Sequence, residues 1–131
     1  MRVWLYARLS NDDDREMNSL LNQREICQAF AEQHGYIIVG QSFDDNISGM
    51  SFDRRGLDEL TAAVDADMID AVIVKDLSRL GRHRTQTALF IDYLREHQVR
   101  VISATEGVDT FRDEDDLIIG VRGLMNDYYA K

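Results

Sequence analysis

The sequence predicts one α/β domain of three layers, with a mostly parallel central sheet of four to five strands flanked by helices. Short apolar runs of strand length alternate with amphipathic helical patterns, and this alternation is typical of parallel sheets. The run Ala71–Val74 is apolar at every position, as expected for a strand covered on both faces. The 131 residues contain no proline and 8 scattered glycines, so no linker divides them, and we expect residues 1–131 to form a single unit.

The first half of the chain follows a β-α-β order. Val3–Ala7 is a short apolar run that predicts the first strand, and the polar stretch Ser10–Asp14 predicts a loop after it. A helical pattern then ends at Gly35, a residue favoured directly after a helix, and Tyr36–Val39 predicts the second strand. The apolar positions of this first helix are Leu20, Cys27, Phe30 and Ala31.

The second half of the chain repeats this order. Apolar residues spaced three and four apart predict a second helix, and the strand Ala71–Val74 follows it. After a basic loop, a third helix and the strand Val99–Ser103 complete the alternation. The apolar helix positions are Leu57, Leu60, Thr61 and Val64 in the second helix, and Ala88, Ile91 and Leu94 in the third.

The final segment, from Asp115 onward, predicts the start of a long helix. Its apolar residues form two stripes, whereas a helix packed on one domain needs a single stripe of about 100°. The second stripe favours a partner helix, and because the pattern still runs at Lys131 without a capping glycine, we expect the natural protein to continue. The stripes are Leu117, Val121, Leu124 and Tyr128, and beside them Ile118, Met125 and Tyr129.

Composition limits the classes of function. A net charge of −9 argues against a nucleic-acid binder held by long-range attraction, whereas Lys75–Arg84 has four cations against Asp76, so any such binding must be local. No apolar run approaches the roughly 20 residues of a membrane span, and no signal peptide is visible, which predicts a cytoplasmic protein without membrane contact. Cys27 is the single cysteine, so no internal disulfide and no cysteine-based zinc site can form.

Reactive groups in a parallel α/β sheet collect on the loops that leave the carboxyl ends of its strands. The first such loop carries Arg8 and Ser10 two residues apart. The second leads to Arg54, and the third carries Arg79 and Arg82 three residues apart. A serine among guanidinium groups suits attack on a phosphodiester, because its oxygen is a nucleophile and planar guanidinium forks hold phosphate oxygens. Arginines would also neutralise the developing charge, so the pattern calls for no metal and no other cofactor.

Five motifs together identify a family. They are YARLS at Tyr6–Ser10, the pair Asn22-Gln23, the pair Ser48-Gly49, FDRRGL at Phe52–Leu57, and SRLGR at Ser78–Arg82. Over nearly its whole length the chain resembles the N-terminal catalytic domain of the serine site-specific recombinases, the resolvase/invertase family, which share these motifs in this order. It looks most like the large serine recombinases, especially the transposase branch of mobile elements.

The resemblance implies a resolvase-like fold and a reaction that cuts and rejoins DNA through a 5′-phosphoserine intermediate without metal or ATP. The implied site residues are the nucleophile Ser10, the phosphate-holding Arg8, Arg79 and Arg82, and the phosphate- or DNA-binding Arg54 and Gln23. The implied partners are DNA and a second copy of the chain, in a homodimer that assembles into a tetramer during synapsis. We also expect a DNA-binding region beyond residue 131, and integration, excision, inversion or resolution of mobile DNA as the outcome.

One position departs from the family pattern. Many relatives carry Asp immediately before the arginine that Arg79 matches, whereas this chain has Ser78. Asp76 could supply a carboxylate instead, although an extended loop would not guarantee that Asp76 and Ser78 point the same way. As an N-cap of the turn from Arg79 to Arg82, Ser78 would need no catalytic role. The sequence identifies no general base.

The candidate site residues also have purely structural interpretations. A lone serine such as Ser10 often caps a turn, and Gln23 on an amphipathic helix would normally be exposed. We interpret Asp45 and Asp53 as turn or cap residues and assign no function to the histidines.

Two alternative functions fit the same sequence. A phosphorylated signalling receiver is also an acidic α/β domain of this size, but it has no use for the spaced arginines. A stronger alternative is a catalytically inactive dimerising regulator with the same fold.

Overall fold

The computed structural model describes residues 1–10, 19–46, 54–80 and 84–111. The strands are β1 Arg2–Ser10, β2 Ile37–Asn46, β3 Ala71–Val74, β4 Arg100–Ser103 and β5 Val108–Asp109. The helices are α1 Leu20–Gln33, α2 Arg55–Asp65 and α3 Arg84–Glu96, and a 3₁₀ turn spans Leu77–Arg79. Within the described ranges, no helix is both long enough and apolar enough to cross a membrane.

The five strands form one sheet in the order β2-β1-β3-β4-β5, parallel except for the short antiparallel β5. This confirms the prediction of a mostly parallel sheet of four to five strands. β1 pairs with β2 as far as Ser10 opposite Asn46, but it pairs with β3 only from Val3 to Leu5. The carboxyl half of β1 therefore extends beyond its second neighbour, and hydrogen bonds on that side must come from other groups.

Helices cover both faces of the sheet, which confirms the three-layer prediction. One buried cluster contains Val3, Leu5, Cys27, Ala31 and Ile73, and the other contains Tyr6, Leu60, Val64, Val72 and Leu94. Because alternate strand residues point to opposite faces, α1 packs on one side of the sheet, and α2 and α3 pack on the other. All four residues of β3 are buried, as its continuous apolar sequence predicted.

Two strands extend beyond their predicted ends, and the first of them, predicted as Val3–Ala7, continues to Ser10. The second strand was predicted to end at Val39 but continues to Asn46, so Asp44 and Asp45 lie in a strand and not in a loop. The continuation is stabilised by inward-facing polar residues: the Trp4 Nε1 donates to the Ser42 hydroxyl at 2.9 Å, and Asp44 is similarly bonded. The strand β5 was not predicted, and Ala88, assigned to the apolar face of the third helix, is exposed.

Several predictions lie outside the described residues. They concern the acidic stretch Asp12–Asp14, the Ser48-Gly49 pair, the cap residue Asp53, the phosphate-binding Arg82 and the two-striped segment from Asp115 onward.

Candidate functional site

The carboxyl end of β1 carries Arg8 and Ser10 on one continuous strand, so the prediction that Ser10 begins a loop was wrong. Because β3 no longer pairs with β1 beyond Leu5, the Arg8 peptide needs other partners. Gln23 of α1 supplies them: its Nε2 donates to the Arg8 carbonyl oxygen at 2.9 Å, and its Oε1 accepts from the Arg8 amide at 3.2 Å. The Gln23 side chain is fully buried, so it fixes the strand backbone at Arg8.

Arg79, at the end of the 3₁₀ turn, reaches back to β1. Its Nη1 donates to the Arg8 carbonyl oxygen at 2.7 Å, and its Nε lies 3.3 Å from Oδ1 of Asp76. The residue is only 4% exposed, and a guanidinium at such depth needs an anion and acceptors around it. Asp76 and the Arg8 carbonyl provide both, and Arg79 thereby links the loop after β3 to the end of β1.

Asp76 organises the turn that carries Arg79. It occupies the N-cap position of the 3₁₀ turn, and its Oδ1 accepts from the Ser78 amide at 3.1 Å and from the Ser78 hydroxyl. The Ser78 carbonyl oxygen in turn accepts a hydrogen bond from Nη2 of Arg8. The interpretation of Ser78 as the N-cap was therefore wrong, because the turn begins earlier and Asp76 caps it. The turn also brings Asp76 and Ser78 together, which an extended loop did not guarantee.

Two further contacts fix the loop after β3. The Lys75 ammonium donates to the side-chain oxygen of Asn22 on α1 at 3.2 Å. On the opposite side, the Glu106 carboxylate accepts from the Leu77 amide at 2.9 Å and from the Ser103 hydroxyl at 2.8 Å. The loop is therefore held from α1, from β1 and from the end of β4.

A buried carboxylate joins β2 to the start of α2. Asp44 is 1% exposed, and its oxygens accept from the Tyr6 hydroxyl at 2.6 Å, the Gly56 amide at 2.7 Å and the Leu57 amide at 3.0 Å. Asp44 on β2 thus caps the N-terminus of α2, because the side chain of Arg54, at the N-cap position, makes no capping hydrogen bond. The helix N-terminus also favours the negative charge of Asp44.

Arg54 is exposed and stands at the N-cap of α2. The first amides of that helix bind Asp44, and Asp44 lies in register with Arg8 in the sheet. Arg54 therefore belongs to the same edge of the sheet as Arg8, although the loop that leads to it from β2 lies outside the described residues. The close approach of α2 to β2 depends on Gly56, because a Cβ there would lie 2.3 Å from the Phe43 carbonyl oxygen.

This edge of the sheet carries both cations and carboxylates. Arg8, Arg79 and Lys75 contribute three cations around the end of β1 and β3, and the carboxylates of Asp76 and Glu106 are bonded to the loop after β3. Guanidinium groups bind phosphate oxygens with paired N–H bonds. Phosphate binding at this edge, beside Ser10 at the end of β1, stays a prediction.

Cys27 lies on α1 beneath this region. Burial raises the pKa of its thiol to about 12, the nearby Asp76 carboxylate adds to the rise, and Lys75 opposes it. A thiol with such a pKa stays protonated at neutral pH and is a poor nucleophile. Cys27 is therefore a core residue, as the sequence indicated.

The structure brings most of the predicted site residues to one edge of the sheet. Arg8, Ser10, Gln23 and Arg79 converge there, with Arg54 at the start of the neighbouring helix, whereas Arg82 lies outside the described residues. Gln23 contacts the site through the Arg8 backbone from a fully buried position. Its phosphate- or DNA-binding role, and the catalytic roles of the others, stay predictions.

The part played by Asp44 was not predicted, because the second strand was predicted to end at Val39. A signal was present: Ser42 and Asp44 alternate with Gln41 and Phe43, with the period of two that a strand shows. Two polar residues on the covered face would still have needed partners, and the sequence alone does not say that Tyr6 and the start of α2 supply them.

A family model for the N-terminal domain of resolvases matches residues 3–131. The chain is 29% identical over 121 residues to the Tn3 transposon resolvase of Escherichia coli and to that of Klebsiella pneumoniae, and the match covers 92% of this chain and 60% of each resolvase. The chain therefore spans about three fifths of the length of the curated relatives that it matches.

Solved structures are similar as well. The N-terminal catalytic domain of TP901-1 integrase has a TM-score of 0.77 at 23% identity, covering 99% of this chain and 97% of that one, and it supports the fold. A resolvase-family site-specific recombinase from Streptococcus pneumoniae has a TM-score of 0.78 at 27% identity, covering 99% of this chain and 88% of that one. The C-terminal catalytic domain of the serine recombinase ISC1926 TnpA has a TM-score of 0.66 at 26% identity, over 79% of this chain and 70% of that one.

Proposed function

The chain belongs to the resolvase N-terminal domain family, and from this membership we propose that it is the catalytic domain of a site-specific DNA recombinase. The observation that carries the proposal is the joining of Arg79 to Arg8 at the carboxyl end of the strand that ends in Ser10. The curated relatives are longer than this chain, and we propose that the complete reaction uses a longer protein that contains this domain.

Ser10 is the proposed nucleophile. Its oxygen attacks the phosphorus of a DNA phosphodiester, a Ser10–phosphate bond forms, and the bond from phosphorus to the 3′ oxygen breaks. The serine proton leaves to a base, and the departing 3′ oxygen takes up a proton to become a hydroxyl. The phosphoserine bond conserves the energy of the broken linkage, so a 3′ hydroxyl can reverse the step on a new partner strand without ATP.

The arginines supply the electrostatic part of the reaction. We assign Arg8, Arg79 and Arg82 to the scissile phosphate, with Arg54 and Gln23 completing the site. Fixed cations aimed at the developing charge stabilise a phosphoryl-transfer transition state, and one such donor typically contributes about 10² to 10³ in rate. The same cations fill the role that a divalent ion plays in metal-dependent nucleases, so the proposed reaction needs no metal.

The remaining partners follow from the same proposal. The net charge of −9 makes this domain a poor DNA binder on its own, so we place sequence recognition in a DNA-binding region beyond residue 131. The proposed active assembly is a tetramer formed from two dimers, acting on mobile DNA in the bacterial cytoplasm. Integration, excision, inversion and resolution all use the same chemistry.

An inactive dimerising regulator is the alternative, since Ser78 stands where many relatives have an acid. A strand-cleavage assay separates the two. The full-length protein is incubated with plasmid carrying the DNA that flanks its gene and quenched with detergent, and covalent protein–DNA complex is measured. The proposal expects complex with the wild type and with Ser78→Ala, and none with Ser10→Ala. Equal, background amounts of complex from wild type and Ser10→Ala would favour the regulator.

A further inference from the structure

A closed ring of contacts surrounds the Asp76 side chain. Its carboxylate accepts from the Ser78 amide, the Ser78 hydroxyl and the Arg79 guanidinium. Arg79 donates to the Arg8 carbonyl oxygen, and Arg8 donates to the Ser78 carbonyl oxygen. Because Ser78 lies in the turn that Asp76 caps, these hydrogen bonds close the ring. Asp76 is thus bonded directly to Arg79 and, through the turn, indirectly to Arg8.

The donors around Asp76 show what kind of role it can have. An amide, a hydroxyl and a guanidinium all point hydrogens at its two oxygens, and an ionised carboxylate is an acceptor with no proton to give. The Asp76 side chain is 24% exposed, whereas that of Arg79 is 5% exposed. The carboxylate therefore lies against the guanidinium as a fixed counter-charge and does not resemble a proton donor aimed at a substrate.

We propose that Asp76 is a positioning residue that orients Arg79 for phosphate, with the Ser78 hydroxyl locking the carboxylate in place. A bidentate guanidinium must present its fork in one plane, and a carboxylate on its Nε edge fixes that plane. Ser78 then contributes to the site through Asp76. This inference rests on the proposed function and adds to it the group that holds the phosphate-binding arginine.

The test is a double-mutant cycle in the full-length protein. The rate of covalent Ser10–DNA complex formation is measured under single-turnover conditions for the wild type, Asp76→Asn, Arg79→Lys and the double variant. Asp76→Asn keeps the shape of the side chain and removes its charge. We expect it to slow complex formation roughly 100-fold, the effect of misplacing a reacting group by about 1 Å, and to change DNA affinity less than about threefold.

The coupling and the pH profile identify the kind of role. If Asp76 acts through Arg79, Asp76→Asn should slow complex formation by less than about threefold when it is added to Arg79→Lys. The limbs of the pH–rate profile should be the same in the wild type and in Asp76→Asn. Ser78→Ala should slow the reaction about tenfold in the wild-type background and much less beside Asp76→Asn.

Asp70→Asn is the matched control. Asp70 precedes β3, at the opposite end of that strand from Asp76, and forms a similar pair with Arg2 at 3.0 Å. We expect Asp70→Asn to form the covalent complex at the wild-type rate within about twofold. Thermal melting of each variant checks that the fold is retained.

Three results would overturn the inference. The first is a wild-type rate of complex formation for Asp76→Asn. The second is an equal fall in rate from Asp76→Asn with and without Arg79→Lys, and the third is a limb of the pH–rate profile that is present in the wild type but absent in Asp76→Asn. If Asp76→Asn fails to melt cooperatively, Ser78→Ala decides in its place, and a wild-type rate for that variant contradicts the inference. A wild type that forms no complex at all would instead overturn the proposed function on which the inference rests.

Discussion

Gln23 pairs with both backbone groups of Arg8, in the way that a neighbouring strand would. The Gln23 Nε2 donates to the carbonyl oxygen at 2.9 Å, and the Gln23 Oε1 accepts from the amide at 3.2 Å. The pairing takes over where β3 stops, since β3 pairs with β1 only as far as Leu5. A single buried glutamine therefore ties helix α1 to the end of the strand that carries Arg8 and Ser10.

Gln23→Ala should destabilise the domain by about 3 kcal/mol. The change removes a fully buried side chain and takes away the acceptor that Gln23 gives the Arg8 amide, whereas the Arg8 carbonyl keeps its bond from Arg79. A buried donor left unpaired costs about 1 to 3 kcal/mol, and the packing lost with the side chain adds to this cost. Urea unfolding measures the free energy of unfolding, and hydrogen exchange should show faster exchange at the Arg8 amide. Gln28→Ala is the control, because Gln28 is exposed on the same helix and should change stability by less than about 0.5 kcal/mol. Equal effects of the two substitutions would contradict the assignment.

Asp44→Ala should cost about 3 to 5 kcal/mol of stability. It removes a buried carboxylate and leaves the Tyr6 hydroxyl and the Gly56 and Leu57 amides without that acceptor. Asp45→Ala, at the exposed next position of the same strand, should stay within about 0.5 kcal/mol of wild type. Denaturant melts of both variants measure the difference, and a small effect at position 44 would show that α2 does not depend on this contact.

Gly56→Ala should destabilise the domain by about 3 kcal/mol, although alanine normally favours a helix. The new Cβ would lie 2.3 Å from the Phe43 carbonyl oxygen, so α2 has to move away from β2. Thermal melting followed by far-UV circular dichroism measures the loss. Glu59→Ala, at an exposed position of the same helix, should have almost no effect. A Gly56→Ala protein as stable as wild type would mean that the two elements do not approach this closely.

Stability should fall as the pH rises from about 9 to about 12, because burial raises the pKa of Cys27 to about 12 from its ordinary 9.0. In that window the unfolded thiol loses its proton while the folded thiol keeps it, and unfolding is favoured by up to about 1.4 kcal/mol per pH unit. The group has no such effect below pH 9, where both states hold the proton. Comparing wild type with Cys27→Ala in urea melts at pH 8 and pH 10.5 isolates the effect, since the variant should show a shallower pH dependence.

The sheet could be predicted from sequence because its strands are continuous apolar runs. Ala71–Val74 is buried at every residue, and Gly35 ends α1 with a φ of +70°, as the helix-stop pattern indicated. The carboxyl end of β2 could not be predicted in the same way. Asp44 is polar, and polar residues normally indicate a loop, so its burial depends on the Tyr6 hydroxyl and the start of α2, which are distant in sequence.

The sequence indicated residues that meet at the carboxyl end of β1, but not the contacts between them. The family resemblance pointed to Arg8, Arg79 and Gln23, whereas the burial of Gln23 and the direction of Asp76 were left open. Gln23 is buried because β3 is only four residues long, and Asp76 faces Ser78 because a 3₁₀ turn follows it. Both facts concern where elements stop, and local sequence patterns define such boundaries least well.

Peptide mapping of the trapped protein–DNA complex tests whether Ser10 is the nucleophile. The full-length protein is allowed to cleave DNA in the presence of a metal chelator, the complex is digested with protease and nuclease, and the modified peptide is sequenced by mass spectrometry. We expect a nucleotide phosphate on the peptide that contains Ser10. A phosphate on Ser78, or cleavage that is lost in chelator and restored by magnesium, would contradict it.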